Sequence, residues 1–117
     1  MKSLLKNHGI EVWNAVGCEE VARLLDQTHP ELIFTTAGFP DGVWSEVVRL
    51  AEESSIPTNV IVVGKSKDMH LYLSAMEFGA FDFILPPFEA APVAHVARVA
   101  AENVRRRRGE QARRAAA

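Results

Sequence analysis

The sequence predicts one α/β domain in which a parallel sheet is covered by helices on both faces. Three observations predict this class. Short apolar runs rich in β-branched residues alternate with amphipathic helical patterns, the loops between them are short, and glycine or proline stands at most boundaries. With 117 residues, 48% of them hydrophobic and 24% charged, the chain has the length and composition of a single globular domain. This composition argues against disordered, collagen-like and coiled-coil proteins.

The alternation of helix and strand runs along the whole chain. Val21, Leu24 and Leu25 share one face of a helix. The runs 32–36 and 59–63 lack the polar alternation of a half-exposed strand, which is typical of parallel strands buried on both faces. The predicted elements are, in order, helix 1–7, strand 11–16, a helix after the turn at Gly17 that runs to about Gln27, strand 32–36, loop 37–42, helix 43–53, strand 59–63, helix 68–78, strand 81–85 and a last helix that starts near Pro92.

The helix predicted over 68–78 carries more apolar residues than one face can hold. Its core-facing stripe is predicted to consist of Met69, Tyr72, Leu73 and Met76. Other apolar side chains lie off that stripe or on one side of the following strand. We expect this second group to form a surface for a protein partner: Leu71, Phe78, Phe81 and Phe83. The alternative is that the last helix or the loops of the chain cover them.

Charge divides the chain into an acidic body and a basic end. Residues 1–104 hold seven Lys and Arg against fourteen Asp and Glu, whereas residues 105–117 hold six Arg against Glu110. The basic end has no apolar stripe, so we predict a domain over 1–106 followed by a basic tail or linker over 107–117. The alternative is an arm that contacts the phosphates of a nucleic acid, which the acidic body opposes.

Several classes of function lack support in the sequence. No apolar run approaches the roughly 20 residues of a membrane-spanning helix, and Met1–Gly9 has no secretion signal, so the cytoplasm is the expected location. The lone Cys18 cannot form an internal disulfide. The four histidines have no ligand-like spacing, and no glycine-rich phosphate loop follows a strand. We therefore expect a protein that is not an enzyme, holds no metal or cofactor and binds no membrane.

Three segments resemble the receiver domains of bacterial two-component response regulators. Residues 30–42 (PELIFTTAGFPDG) are similar to the third-strand segment of that family, and residues 59–64 (NVIVVG) to its fourth strand. The most specific match is 75–88 (AMEFGAFDFILPPF), which resembles the signature Gly-Ala-x-Asp-aromatic-Leu-x-Lys-Pro-Phe near the end of such domains. The resemblance covers roughly residues 1–106 and implies a flavodoxin-like fold with the sheet order 2-1-3-4-5.

The residues that carry the family's phosphoryl chemistry have no counterparts here. By resemblance, Thr36 stands at the position of the phosphoacceptor Asp, Gly64 at that of a hydroxyl residue and Pro86 at that of a Lys. Phe83 falls at the family's aromatic switch position, where we expect a fixed rotamer. A threonine hydroxyl without an adjacent base is a poor nucleophile. The resemblance therefore implies a degenerate receiver that is not phosphorylated on Asp.

The family's first strand, with the acidic pair that holds Mg²⁺, also has no counterpart, because residues 1–9 resemble the helix that follows it. A missing strand would leave the edges of its two neighbours unpaired. Three solutions stay open: a sheet that closes up, a strand supplied by another chain, or a chain that begins upstream of Met1.

The resemblance predicts a signal-transduction module, related to phosphorelay receivers, that acts by protein–protein interaction. The expected partners are a histidine kinase, an output domain or a second copy in a homodimer. One rival is a nucleic-acid-associated regulatory protein that uses the Arg-rich tail. A second rival is an enzyme of flavodoxin-like architecture, because this fold hosts many functions.

Overall fold

A computed structural model of the chain describes residues 18–36, 38–39, 42–64, 69–85 and 89–116. Its elements are α1 (Cys18–Thr28), β1 (Leu32–Thr36), β2 (Gly38–Phe39), β3 (Gly42–Val43), α2 (Trp44–Glu53), β4 (Asn59–Val63), α3 (Met69–Phe78), β5 (Asp82–Ile84) and α4 (Ala90–Ala116). The helix predicted over 1–7, the strand predicted over 11–16 and the predicted lack of a first strand lie outside the described residues.

The three longer strands form a parallel sheet in the order β1-β4-β5. β4 lies in the middle, and all five of its residues are buried. The register pairs Leu32 with Asn59 and Val62 with Phe83. Helical crossovers through α2 and α3 join the strands, as a parallel arrangement requires. The predicted parallel strands 32–36 and 59–63 are confirmed with these bounds.

A short antiparallel ladder occupies part of the segment that the sequence predicts as a loop over 37–42. β2 and β3 pair Gly38 with Val43 and Phe39 with Gly42. Each of these strands has only two residues, which is too short to show an alternation of apolar and polar side chains. The pattern therefore gives no sign of this hairpin.

Helices cover both faces of the three-stranded sheet. The core on one face contains buried residues of α1, α2, α3 and the strands, among them Val21, Leu25, Val47, Val48, Val62 and Ala75. The core on the other face consists of Val93 and Ala97 of α4 packed against Leu32, Phe34 and Ile84. The predicted parallel sheet with helices on both faces is confirmed.

α4 is longer than the sequence pattern indicates. It runs for 27 residues, and the boundary predicted after residue 106 falls inside it. The segment 107–117, predicted as a tail or linker, is helical through Ala116 and contacts the body of the domain. The pattern missed this packing because guanidinium and amide groups, and not apolar side chains, make these contacts.

Gly79 ends α3 in the left-handed conformation, with φ of 107°. A Cβ atom at this position would collide with the carboxylate of Glu52. We expect Gly79→Ala to lower the free energy of unfolding by about 1–2 kcal/mol, the usual cost of placing an L side chain in this conformation. Urea denaturation followed by circular dichroism measures the change.

Gly109 in α4 provides the matched control for that substitution. A Cβ atom there would meet only the Nη1 atom of Arg113, at 3.6 Å. Gly109→Ala should therefore stabilise the protein by about 0.5–1 kcal/mol, because alanine loses less conformational entropy in a helix. Equal losses of stability in both variants would contradict the assigned role of Gly79.

Candidate protein-binding site

The carboxyl edge of the sheet is the place where open α/β folds bind ligands. The register pairs Thr36 with Val63, so Thr36 and Gly64 lie at this same edge. The backbone N–H of Gly64 donates to the carbonyl of Ile84 at 2.9 Å, which extends the pairing of β4 with β5. The structure thus brings two of the predicted positions together, while Pro86 lies outside the described residues.

Apolar side chains fill the space above Gly64. A Cβ atom on Gly64 would lie 2.8 Å from Cζ of Phe83 and 2.7 Å from Cδ2 of Leu85. Phe83 is only 8% exposed and belongs to the core that α1, α2 and α3 cover. The described part of this edge around β4 and β5 is therefore closed by hydrocarbon.

The described residues at this edge do not fit a Mg²⁺ site. Mg²⁺ needs several oxygen ligands, usually with one or two carboxylates. The described residues that end or follow β1, β4 and β5 at this edge are Thr36, Gly64 and Leu85, which bring no carboxylate. Within the described ranges, no group of three or more His, Cys, Asp or Glu side chains could hold a metal ion.

α3 turns a different face to the core from the one that its apolar stripe predicts. Tyr72 is 40% exposed, Leu73 51% and Met76 39%, whereas the small Ala75 is fully buried. These three side chains are therefore not buried in the core as predicted, although one side of the Tyr72 ring contacts Phe83. Apolar residues surround most of the helix and leave only the side of His70, Ser74 and Glu77 polar, so periodicity selects the core-facing direction weakly. Ala75 lets the backbone approach the core closely. We call Tyr72, Leu73 and Met76 the α3 face.

The predicted partner surface does not form as one patch. Phe83 is in the core, and Phe81 is half-buried. Phe78 is 58% exposed, and its ring packs edge-on against Trp44 of α2 with centroids 5.5 Å apart. The side chain of Leu71 lies outside the described part of the structure. Of the four predicted residues, only Phe78 is shown as largely exposed, and the α3 face is a group that the sequence assigned to the core.

Arg108 ties α4 to two loops at the opposite, amino-terminal edge of the sheet. Its Nε donates to the carbonyl of Pro57 at 2.9 Å, and its Nη2 donates to the carbonyls of His29 and Pro30, each at 3.0 Å. These loops precede β4 and β1. Gln111 adds a bond from its Nε2 to the carbonyl of Ser55 at 2.7 Å.

Asn59 is the centre of a second polar contact at this edge. It is 6% exposed, its Nδ2 donates to the carbonyl of Ala100 at 2.9 Å, and its Oδ1 accepts from Nη1 of Arg107 at 2.7 Å. Nearby, Arg105 donates to both carboxylate oxygens of Glu31 at 2.8 and 3.0 Å. These hydrogen bonds raise the pKa of the Arg105 guanidinium above its ordinary value. No sequence pattern predicts these contacts.

Half of the six arginines at the chain end remain unpaired. Arg106, Arg113 and Arg114 have no hydrogen-bond or ion-pair partner among the residues that the structure describes. All three are exposed. The other three arginines of the basic end bind groups of the domain itself.

Two clefts among the described residues lie away from the carboxyl edge. One, of about 290 Å³, lies between α2, the start of β4 and Arg107. The other, of about 430 Å³, lies between α1 and α2 near His29 and Ser54. Separately, no described helix combines the length and apolar character needed to cross a membrane.

Comparisons with known proteins bear on the fold. No protein-family model and no curated protein matches the sequence. Among solved structures, the signal receiver domain of a Luxo repressor protein from Vibrio parahaemolyticus superposes with a TM-score of 0.79 at 19% identity, covering 89% of this chain and 80% of that one. The receiver domain of NtrX from Brucella abortus superposes with a TM-score of 0.77 at 22% identity, covering 86% of this chain and 85% of that one. FixJ-N superposes with a TM-score of 0.75 at 27% identity, covering 86% of this chain and 83% of that one.

The chain therefore has the fold of response-regulator receiver domains, as the resemblance implied. The three described parallel strands, their order and the helices on both faces agree with this flavodoxin-like class.

Proposed function

We propose that this chain is a receiver-like signalling module that acts by binding protein through the α3 face and is not phosphorylated on aspartate. The observation that carries the proposal is the exposure of Tyr72, Leu73 and Met76 on one helix of a receiver fold. The similarity in fold to signal receiver domains supports a signalling role. The proposal includes no catalytic activity, in line with the closed apolar edge around Gly64.

The loss of phosphoryl transfer is supported by the residues at the carboxyl edge. Thr36 ends β1 where a receiver is expected to carry its Asp, and a hydroxyl there needs a base to act as a nucleophile. Gly64 supplies no hydroxyl, and the apolar contacts of Phe83 and Leu85 occupy the adjoining space. A phosphoryl group placed there would lose its hydration without gaining a charged partner from these residues.

The partner that we favour for the α3 face is a second copy of the chain. A twofold axis brings the same patch of both copies together. An apolar patch is therefore buried against its own copy in such a dimer. Tyrosine and methionine are enriched in interface cores. A histidine kinase or an output domain is the alternative, and it becomes the next hypothesis if the protein stays a monomer.

A second candidate function is nucleic-acid binding through the exposed Arg106, Arg113 and Arg114. Three cations contribute a salt-dependent affinity, because each phosphate contact releases condensed counterions. The ion pair and hydrogen bonds of Arg105, Arg107 and Arg108 withdraw the other three cations from such a role. Duplex binding in moderate salt that disappears when all three exposed arginines are replaced by alanine would favour this candidate over the first.

Intact mass spectrometry tests the phosphorylation part of the proposal. Incubation with Mg²⁺ and a small phosphodonor is expected to leave the mass of the chain unchanged, because no described residue at the carboxyl edge provides a carboxylate nucleophile. Thr36→Ala serves as the control variant. A phosphoryl adduct on the natural chain, whether acid-labile or acid-stable, would overturn this part, and its loss in Thr36→Ala would locate the group.

A further inference from the structure

We propose that Gly64 is a positioning residue for the α3 face: it leaves room for the inward ring of Phe83, which in turn holds Tyr72 in one permanent orientation. The inference concerns the regulation of the proposed binding surface, and its consequence for binding rests on that proposed function. The positioning itself rests only on contacts inside the domain.

Space, and not backbone conformation, accounts for glycine at position 64. Its φ lies outside the left-handed range, in contrast to that of Gly79, so its backbone conformation suits any residue. A Cβ atom would approach Cζ of Phe83 to 2.8 Å and Cε1 of the same ring to 3.1 Å. It would also approach Cδ2 of Leu85 to 2.7 Å. Any larger residue at 64 must displace one of these side chains, because carbon atoms pack at about 3.5–4.0 Å.

The ring of Phe83 connects this position to the surface. It packs edge to face against the ring of Tyr72, with centroids 5.7 Å apart and an interplanar angle of 86°. Phe83 is buried, and Tyr72 is 40% exposed, so one side of Tyr72 rests on the core while the other belongs to the α3 face. A displacement of Phe83 therefore removes the support of Tyr72.

The contacts of position 64 are apolar. Gly64 has no side chain that could hydrogen-bond to a ligand, and the hydrocarbon of Phe83 and Leu85 lies directly above it. A ligand at this edge would have no group at position 64 through which to move Phe83. On this proposal the α3 face is set by these packing contacts and not by a ligand acting through position 64.

The single tyrosine of the chain makes the proposal measurable. Protein labelled with fluorotyrosine gives one fluorine signal, which reports the surroundings of Tyr72. The natural protein is expected to show one resonance. Gly64→Thr is expected to shift it several-fold more than the control Gly109→Ala, whose new Cβ meets only a flexible arginine end. Two resonances in slow exchange in the natural protein, or an unshifted resonance in a folded Gly64→Thr variant, would overturn the proposal.

Further variants keep the proposal testable if Gly64→Thr does not fold. Gly64→Ala adds the smallest possible side chain and should shift the same resonance. Phe83→Leu makes room at position 64, so Gly64→Ala combined with Phe83→Leu should shift the unfolding midpoint by less than the sum of the two separate shifts. Additive shifts would show that Gly64 and Phe83 do not act on each other and would overturn the proposal.

Self-association of the same variants separates this inference from the proposed function. A shifted resonance together with an association constant reduced about tenfold supports both. A shifted resonance with unchanged association supports the positioning of Tyr72 by Gly64 and counts against the α3 face as the binding surface.

Discussion

Replacing Arg108 with alanine is expected to lower the free energy of unfolding by about 1.5–3 kcal/mol, the usual contribution of hydrogen bonds to a charged group. The guanidinium of Arg108 donates to three carbonyl oxygens on two loops, at 2.9 to 3.0 Å. These loops lead into β1 and β4, so the arginine joins α4 to the amino-terminal edge of the sheet. Its loss leaves three carbonyls that only water can satisfy.

Arg106 is the matched control for this experiment. It lies two residues away in the same helix, and no described residue pairs with it. Arg106→Ala should change the free energy of unfolding by no more than about 0.5 kcal/mol, as is usual for an exposed site. Urea unfolding of both variants measures the difference. Equal effects would show that the end of α4 adds helix content but no anchoring contact.

Replacing Leu73 with aspartate is expected to weaken self-association by about 30-fold, which corresponds to the roughly 2 kcal/mol lost at an interface hot spot. Leu73 is the most exposed residue of the α3 face, at 51%. In the single chain, aspartate at this position remains hydrated, so the fold should persist. In the complex, the same carboxylate would be buried without a partner.

Gln27→Asp provides the control because it introduces the same carboxylate at an exposed site on α1. α1 packs against α2, and Gln27 does not belong to the α3 face. Sedimentation equilibrium of both variants gives their association constants. Equal weakening by the two substitutions would indicate a general charge effect and would argue against the α3 face as the interface.

The strands could be predicted from sequence because their burial leaves a direct signature. β1 and β4 have the bounds that the apolar, β-branched runs 32–36 and 59–63 predict. β4 is buried throughout, so no polar alternation interrupts its pattern. The helices on both faces followed from the alternation of elements, whereas the strand order was expected only from the resemblance to receiver domains.

The orientation of α3 could not be predicted in the same way. Apolar residues surround most of this helix, so its periodic signal is weak, and the residue that faces the core is the smallest, Ala75. The prediction placed the large apolar side chains in the core, whereas the structure buries Ala75. Tyr72, Leu73 and Met76, assigned to the core by their spacing, form the exposed candidate site.

The end of α4 shows a second physical limit of sequence patterns. Hydrophobic periodicity detects burial of apolar area, whereas Arg107, Arg108 and Gln111 bind the domain through polar groups. Their partners are mostly backbone carbonyls, which every residue type carries. The role of Gly64 could not be predicted from sequence either. It depends on the ring of Phe83, which is 19 residues further along the chain and which only the fold brings into contact with Gly64.

The molar mass of the protein in solution shows whether the chain associates with itself. Light scattering after size exclusion, over roughly a hundredfold range of concentration, shows whether one surface joins two copies by mass action. We expect a mass that rises from the 12.9 kDa of one chain towards twice that value, with Leu73→Asp remaining at the lower mass. A natural protein that stays at 12.9 kDa over the whole range would contradict self-association through the α3 face.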